Sequence, residues 1–106
     1  MMIRIVKLHF QDDKIDQFLA FFDTIKEKVN EFPGCLGMKL LHDINNPSIV
    51  MTYSHWKEAQ DLENYRTSET FGTIWPTIKP WFAEKPEAWS VEEHFNGFDR
   101  DSRFEI

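Results

Sequence analysis

Four histidines, His9, His42, His55 and His94, are the side chains best suited to move a proton near neutral pH, and imidazoles are also common metal ligands. Each stands at or near the end of a segment with strand character, where a polar residue is equally well explained by solvation. None has a carboxylate or third imidazole at ligand spacing, so no metal site is predicted. His9 and His55 are the two candidate bases. A second group is suited to holding a ligand. Tyr65, Phe71, Trp75, Trp81 and Phe82 lie along one helical region, and rings at that spacing form core more often than a binding box. If part of the set lines a pocket, it suits a flat apolar ligand oriented by one or two polar groups from Thr52, Tyr53 or His55. The carboxylates Asp61, Glu63, Glu84, Glu87, Glu92 and Glu93 read as solvated surface. The chain has no glycine-rich phosphate loop, no serine-centred elbow and no Cys–His pair in a nucleophile's context, which sets those enzyme classes aside.

Positioning such residues requires a core, and 106 residues suffice for one. The apolar fraction of 42% is ordinary, but ten Phe, four Trp and two Tyr exceed what one small core needs, so some rings should line a pocket or an interface. The net charge of −6, with no basic stripe, argues against nucleic acid and against an anionic membrane surface as partners. Cys35 is the only cysteine, so no disulfide can close within the chain, which fits a reducing cytoplasm. No export signal and no apolar run near twenty residues is seen. A single domain over 1–106 is expected, with its core at about 3–95 and a polar tail over 96–106.

Residues 3–10, IRIVKLHF, read as a strand apolar on both faces. Asp12-Asp13 then supplies a cap, and Ile15, Phe18, Leu19, Phe22, Ile25, Val29 and Phe32 recur at helical spacing over about 13–31, until Pro33-Gly34 stops the helix. CLGMKLLHD and SIVMTYSHW form two strands around the turn formers Ile44-Asn45-Asn46-Pro47. Helix follows from Lys57 to about Arg66, and Ser68 with Glu69 caps a second piece whose apolar stripe crosses Pro76, where a kink is expected. Pro86 opens a last strand near AWSVEEHF, with His94 at its end. The order strand, helix, strand, strand, helix, strand predicts an α+β, ferredoxin-like βαββαβ fold with an antiparallel sheet and both helices on one face. Taking the first and third strands as parallel neighbours puts His9 and His55 near the same end of the sheet, with His42 roughly 20 Å from His55. The face without helices carries apolar residues too, Ile5 or Val6 and Val50 or Met51 on either parity with Trp89 and Val91 added, and a second copy of the chain is the simplest cover.

PGCLG after the first helix, a strand ending in Trp56 before KEA, and SETF opening a proline-containing helix resemble the antibiotic biosynthesis monooxygenase (ABM) family over about residues 3–95. The resemblance implies a dimeric α+β barrel. It also implies a family range that includes cofactor-independent monooxygenases of polycyclic aromatic or quinol substrates and haem-degrading enzymes. In the polyketide monooxygenases an Asn lies four residues before the strand-end Trp and a Tyr six after it. Here Trp56 matches, while Thr52 and Leu62 stand at the other two positions, and of these only Thr52 can hydrogen-bond a substrate oxygen. In the haem-degrading members a His follows the Phe of the second helix by four. The match for that Phe is Phe71, so the ligand position is Trp75, which offers iron no lone pair, and Tyr65 takes the ring-packing position. Tyr65 also replaces a His found in many quinol-oxidising relatives.

The resemblance therefore implies a cofactor-independent monooxygenase of a small aromatic or quinol substrate. Trp56, Thr52, His55 and His9 are candidate catalytic groups, and Tyr53, Tyr65, Phe71 and Trp75 are candidate substrate contacts. No cofactor or metal is expected. The competing expectation is a non-catalytic domain that binds or senses a hydrophobic ligand in the same pocket.

Overall fold

The structure, a computed structural model, describes residues 1–98; the remainder of the predicted tail, 99–106, lies outside the described residues. Strand β1 (Met2–His9) is central, paired on one side with β3 (Ile49–Trp56) and on the other with β4 (Glu87–Val91), while β2 (Cys35–His42) adds beyond β3. The order is β2-β3-β1-β4, and every neighbouring pair is antiparallel. The predicted fold is the observed one. The parallel relation expected between the first and third strands is not: β1 runs against β3 in the register Ile3↔His55 to His9↔Ile49. The helix after β1 returns the chain so that β2 runs alongside β1 in direction, and the hairpin reverses it again.

The register keeps parity. Arg4 lies opposite Ser54 and Ser90, and Val6 opposite Thr52 and Ala88, so even-numbered residues of β1, β3 and β4 share one face. That face meets the helices. Leu8, Phe10 and Val50 pack with Ile15, Phe18 and Val29 of α1 (Ile15–Asn30) and with Ile74 and Ile78 of α3 (Glu69–Ile78) to form the core. In the apolar stripe expected for α1, Leu19 falls outside the buried face and is 37% exposed. The odd-numbered face carries Ile5, Met51, Tyr53, Trp89 and Val91. Trp89 and Val91 are exposed there, as is Leu41 of β2.

Local chemistry sets the joints. Asp12 does not cap α1; the residue before the helix is Lys14, without a side-chain cap bond. Asp12 instead accepts a 2.7 Å hydrogen bond from the buried Ser48 hydroxyl, tying the start of α1 to the β2–β3 turn. In that turn Asp43 accepts from the amides of Asn45 and Asn46, a side-chain substitute for backbone turn bonds. Helix α2 (Ala59–Arg66) follows, and Ser68 caps α3 by accepting from the Phe71 amide, as its spacing predicted. Helix α3 continues through Pro76 and tightens at Lys79–Trp81 into a short 3₁₀ turn. Pro76 removes the bond to the carbonyl of Gly72, which sits on an exposed turn where water can replace it. Strand β4 begins directly after Pro86 but ends at Val91, so His94 lies beyond it. No helix among the described residues is long and apolar enough to cross a membrane.

The stop after α1 depends on one glycine. Gly34 has φ +87°, and a Cβ there would run into the Asp61 side chain, which also accepts a hydrogen bond from the Glu58 amide at the start of α2. The Gly34 carbonyl accepts from the Lys57 amide at 2.8 Å, so the α1–β2 corner and the β3–α2 corner are locked together. Gly34→Ala is expected to lower stability by about 2–4 kcal/mol, combining backbone strain with displacement of Asp61. Equilibrium urea unfolding measures this, and an unchanged midpoint would contradict it.

Candidate functional site

Between the even-numbered sheet face and the helices the side chains do not fill the space. A cavity of about 370 Å³ remains, at the small end of the range for ligand pockets. Its floor is Val6, Leu8, Met38, Thr52, Ser54 and Trp56. Its walls are Phe22 and Ile25 of α1, Leu62, Tyr65 and Arg66 of α2, and Phe71 and Trp75 of α3. Arg4 stands on the floor strand, and Pro86 and Ala88 border the β4 side. One end of the interlayer space is packed shut: the Phe10 and Phe18 rings stack at 4.3 Å and Phe82 lies 5.2 Å from Phe10. The Trp56–Tyr65 end carries the polar groups.

Ring contacts run without a break from Phe32 through Trp56, Tyr65, Phe71, Trp75 and Phe82 to Phe10 and Phe18. Trp75 and Phe71 are stacked 5.5 Å apart with only 15° between their planes, a flat wall on the helix side. The remaining member of the aromatic set, Trp81, meets Phe21 edge-on and does not line the cavity. The surplus of aromatic residues is thus divided between core and wall.

The polar groups differ in how far they are already engaged. Trp56 is 1% exposed, and its indole N–H donates at 3.0 Å to the buried Ser54 Oγ, which in turn faces the Arg4 carbonyl. Trp56 therefore offers a ligand a ring and no free donor. Thr52 Oγ1 and the Tyr65 hydroxyl have no hydrogen-bond partner among the described residues. Burial pushes the Tyr65 phenol up to about 12, and the nearby Cys35 sulfur adds to this, so Tyr65 is a neutral hydrogen-bond donor. Cys35 reaches that position because β2 is irregular between Cys35 and Gly37, which sets Cys35 opposite Trp56, on the helix side. Burial raises the Cys35 thiol as well. The Arg4 guanidinium is lowered from its usual range by burial and by the charge of Arg66, against a smaller opposing effect of Glu63.

Of the residues singled out in the sequence, the fold brings Thr52, Trp56, Tyr65, Phe71 and Trp75 to this cavity. Tyr53 and His55 have odd parity on β3 and point away from it, linked to each other by a 2.9 Å contact between the Tyr53 hydroxyl and His55 Nε2. His9 and His55 do not share an end of the sheet. Antiparallel pairing sets them six residues apart along β1, roughly 20 Å. His9 pairs instead with Glu84, Nδ1 to Oε2 3.4 Å. His42 lies opposite Val50, at the other end of the hairpin from His55. Among the described residues no group of three His, Cys, Asp or Glu side chains could hold a metal ion. Arg4, Arg66 and Ser54 escaped the sequence reading, although Arg4 shares parity with Val6 and Leu8 and so had to stand on their face.

The family model for antibiotic biosynthesis monooxygenases matches residues 1–75. The chain belongs to that family. No curated protein matches it. Similar solved structures include a candidate antibiotic biosynthesis monooxygenase from Nitrosomonas europaea, 20% identical with a TM-score of 0.82 over 90% of this chain and 100% of the other. A conserved protein from Methanosarcina mazei is 21% identical with a TM-score of 0.81 over 88% and 93%. A candidate family member from Deinococcus radiodurans is 14% identical with a TM-score of 0.80 over 91% and 95%. At such identities the likeness concerns the fold. Within this ABM fold Leu62 is 8% exposed and contributes an apolar wall, and Trp75 lies flat beside Phe71.

The buried phenol makes a pH signature. A tyrosine ionises near 10 when unfolded and Tyr65 near 12 when folded, so its protonated form is the one the fold favours. Its contribution to stability is complete below about pH 10 and is lost as pH rises towards 12, on the order of 3 kcal/mol in all. Tyr65→Phe is expected to flatten the decline of stability across that window, read by urea unfolding at stepped pH. Parallel curves for the two proteins would contradict it.

Proposed function

We propose that this ABM domain is a cofactor-independent monooxygenase of a small aromatic or quinol-type substrate bound in the cavity between sheet and helices. The observation that carries the reading is the cavity itself, walled by the stacked pair Phe71–Trp75 and bordered by the unengaged hydroxyls of Thr52 and Tyr65. A flat ring can lie against that wall, and Thr52 and Tyr65 can donate to its oxygens. In such chemistry the electrons come from the substrate. One atom of dioxygen enters the product and the other leaves as water, while the protein excludes bulk water and steadies the substrate anion. The substrate contacts proposed are Thr52, Trp56, Tyr65, Phe71 and Trp75, with Trp56 acting through its ring. His9, Tyr53 and His55 lie on the opposite face and have no contact with a substrate in this reading.

Leu62 at a position where the family's polyketide monooxygenases carry Tyr favours a second reading, a domain that binds the same ligands without turnover. Oxygen uptake with a panel of reduced quinones and polycyclic phenols separates the two. The first reading expects uptake that falls about tenfold in kcat/KM for Thr52→Val, the loss of one hydrogen bond. Ligand-dependent thermal stabilisation with no uptake selects the second. Neither uptake nor stabilisation across the panel defeats both.

The odd-numbered sheet face is proposed to pair with a second copy of the chain, and a cytoplasmic setting fits the free thiol of Cys35. Exposed Trp89, Val91 and Leu41, with Ile5 and Met51 beside them, make an apolar surface that a like surface can cover. Sedimentation at micromolar concentration is expected to give twice the chain mass. Trp89→Glu, at a side chain 44% exposed in the single chain, is expected to yield folded monomer. A wild-type monomer would refute the pairing.

A further inference from the structure

Arg4 and Arg66 are the two arginines among residues 1–98, and both lie on the lining of the one cavity just described, although they are 62 positions apart and the chain is acidic overall. Arg4 reaches it from β1, on the same sheet face as Val6 and Leu8; Arg66 reaches it from the last turn of α2. The apolar wall of Trp75 and Phe71 borders the same space. We propose that the cavity recognises an apolar ligand bearing an anionic oxygen group, a carboxylate, phenolate or enolate, whose charge is held jointly by Arg4 and Arg66 while its rings lie on Trp75. This rests on the reading of the cavity as a ligand site and narrows the class of ligand.

One exposed carboxylate, Glu63, serves both guanidiniums, and it serves them weakly. The Arg4 side chain makes one hydrogen bond among the described residues, from Nη1 to the neutral Ser90 Oγ at 3.0 Å, leaving most of its five donors unused. Arg66 meets Glu63 at 3.4 Å, an exposed pair one helical turn apart of the kind that contributes little and is readily displaced. Burial and the neighbouring charge of Arg66 act against the charged form of Arg4, and Glu63 offsets them only in part. Folding alone gains nothing from bringing two like charges to one half-buried place; an oxyanion between them removes the repulsion and uses the free donors. Guanidinium donors match a carboxylate in bidentate geometry and hold it more strongly than a neutral amide. Held there, an ionised phenol or enol is also the electron-rich form of an oxidisable substrate, so the pair serves the proposed reaction.

The test compares 2-naphthoate with 2-naphthamide, an anion and a neutral ligand of nearly the same shape, by calorimetric titration of the unmodified protein at pH 7. The naphthoate is expected to bind at least about tenfold more tightly, and the advantage to shrink in 0.5 M salt. Arg66→Gln and Arg4→Gln are each expected to weaken naphthoate by about tenfold and to leave naphthamide within about twofold, whereas Trp75→Ala weakens both alike. Equal binding of the two ligands overturns anion recognition and leaves the cavity reading standing. Binding of neither overturns both. If Arg4→Gln fails to fold, the ligand pair on the native protein and on Arg66→Gln, altered at an exposed side chain, still decides.

Discussion

The parity of the central strand pairing governs what every other residue can do. Because β1 lies against β3 with Val6 opposite Thr52, and against β4 with Val6 opposite Ala88, a side chain's number on these strands decides its layer. Even positions face the helices and the cavity; odd positions face outward. A slip of one residue would carry Trp56 and Ser54 out of the interior and His55 and Tyr53 into it. Several devices hold the register: Gly34 against Asp61 at one corner, the Ser48–Asp12 bond at the other, and the Phe10–Phe18 stack closing the interior at the β1 exit.

Given that division, the incompletely filled interior follows from where the large rings sit. Phe10, Phe18 and Phe82 close one end of the interlayer space, and Trp56, Tyr65 and Phe32 pack at the other. Between them, Val6, Thr52 and Met38 on the sheet side and Phe71 and Trp75 on the helix side line the cavity that remains. A tightly packed interior would have been easier to stabilise, since unfilled volume forfeits dispersion contacts. The lining of this unfilled space is therefore where a ligand would supply the missing contacts.

Much of the fold was legible in the residues because its signals are local. The β-branched, apolar run IRIVKLHF, the Pro33-Gly34 stop, the turn formers at 44–47 and the Ser68 cap each act within a few residues, and the elements they imply admit few arrangements. What failed depended on relations between distant segments. The direction of β1 relative to β3 is set by how many times the chain turns between them, and taking the pair as parallel brought His9 and His55 together when they lie at opposite ends. Asp12 looked like a helix cap, but its partner is Ser48, 36 residues away. Tyr53 and His55 were attractive as ligand contacts because polar aromatic residues near a strand end often are. Their odd parity turns them outward, and no single strand reveals which face the helices cover.

The same non-locality explains why the arginines were missed and why they matter. Arg4 is one charge in an apolar strand, which alone suggests a solvated edge, and Arg66 is one of several charges on a short polar helix. Only the fold shows that they meet at the margin of one apolar space, where Trp56 has already committed its indole donor to Ser54 and cannot serve an incoming oxygen. The donors still available at such a site are Thr52, Tyr65 and the two guanidiniums, which keep further N–H groups beyond their single contacts to Ser90 and Glu63. Two of these are neutral, Tyr65 firmly so because burial holds its phenol protonated, and two are cationic. A donor set with no fixed base among it can bind and stabilise an anion but cannot create one by taking a proton. If the cavity is catalytic, the substrate must arrive ionised or ionise because the arginines lower its pKa, and oxygen then reacts with a species the protein has stabilised without deprotonating.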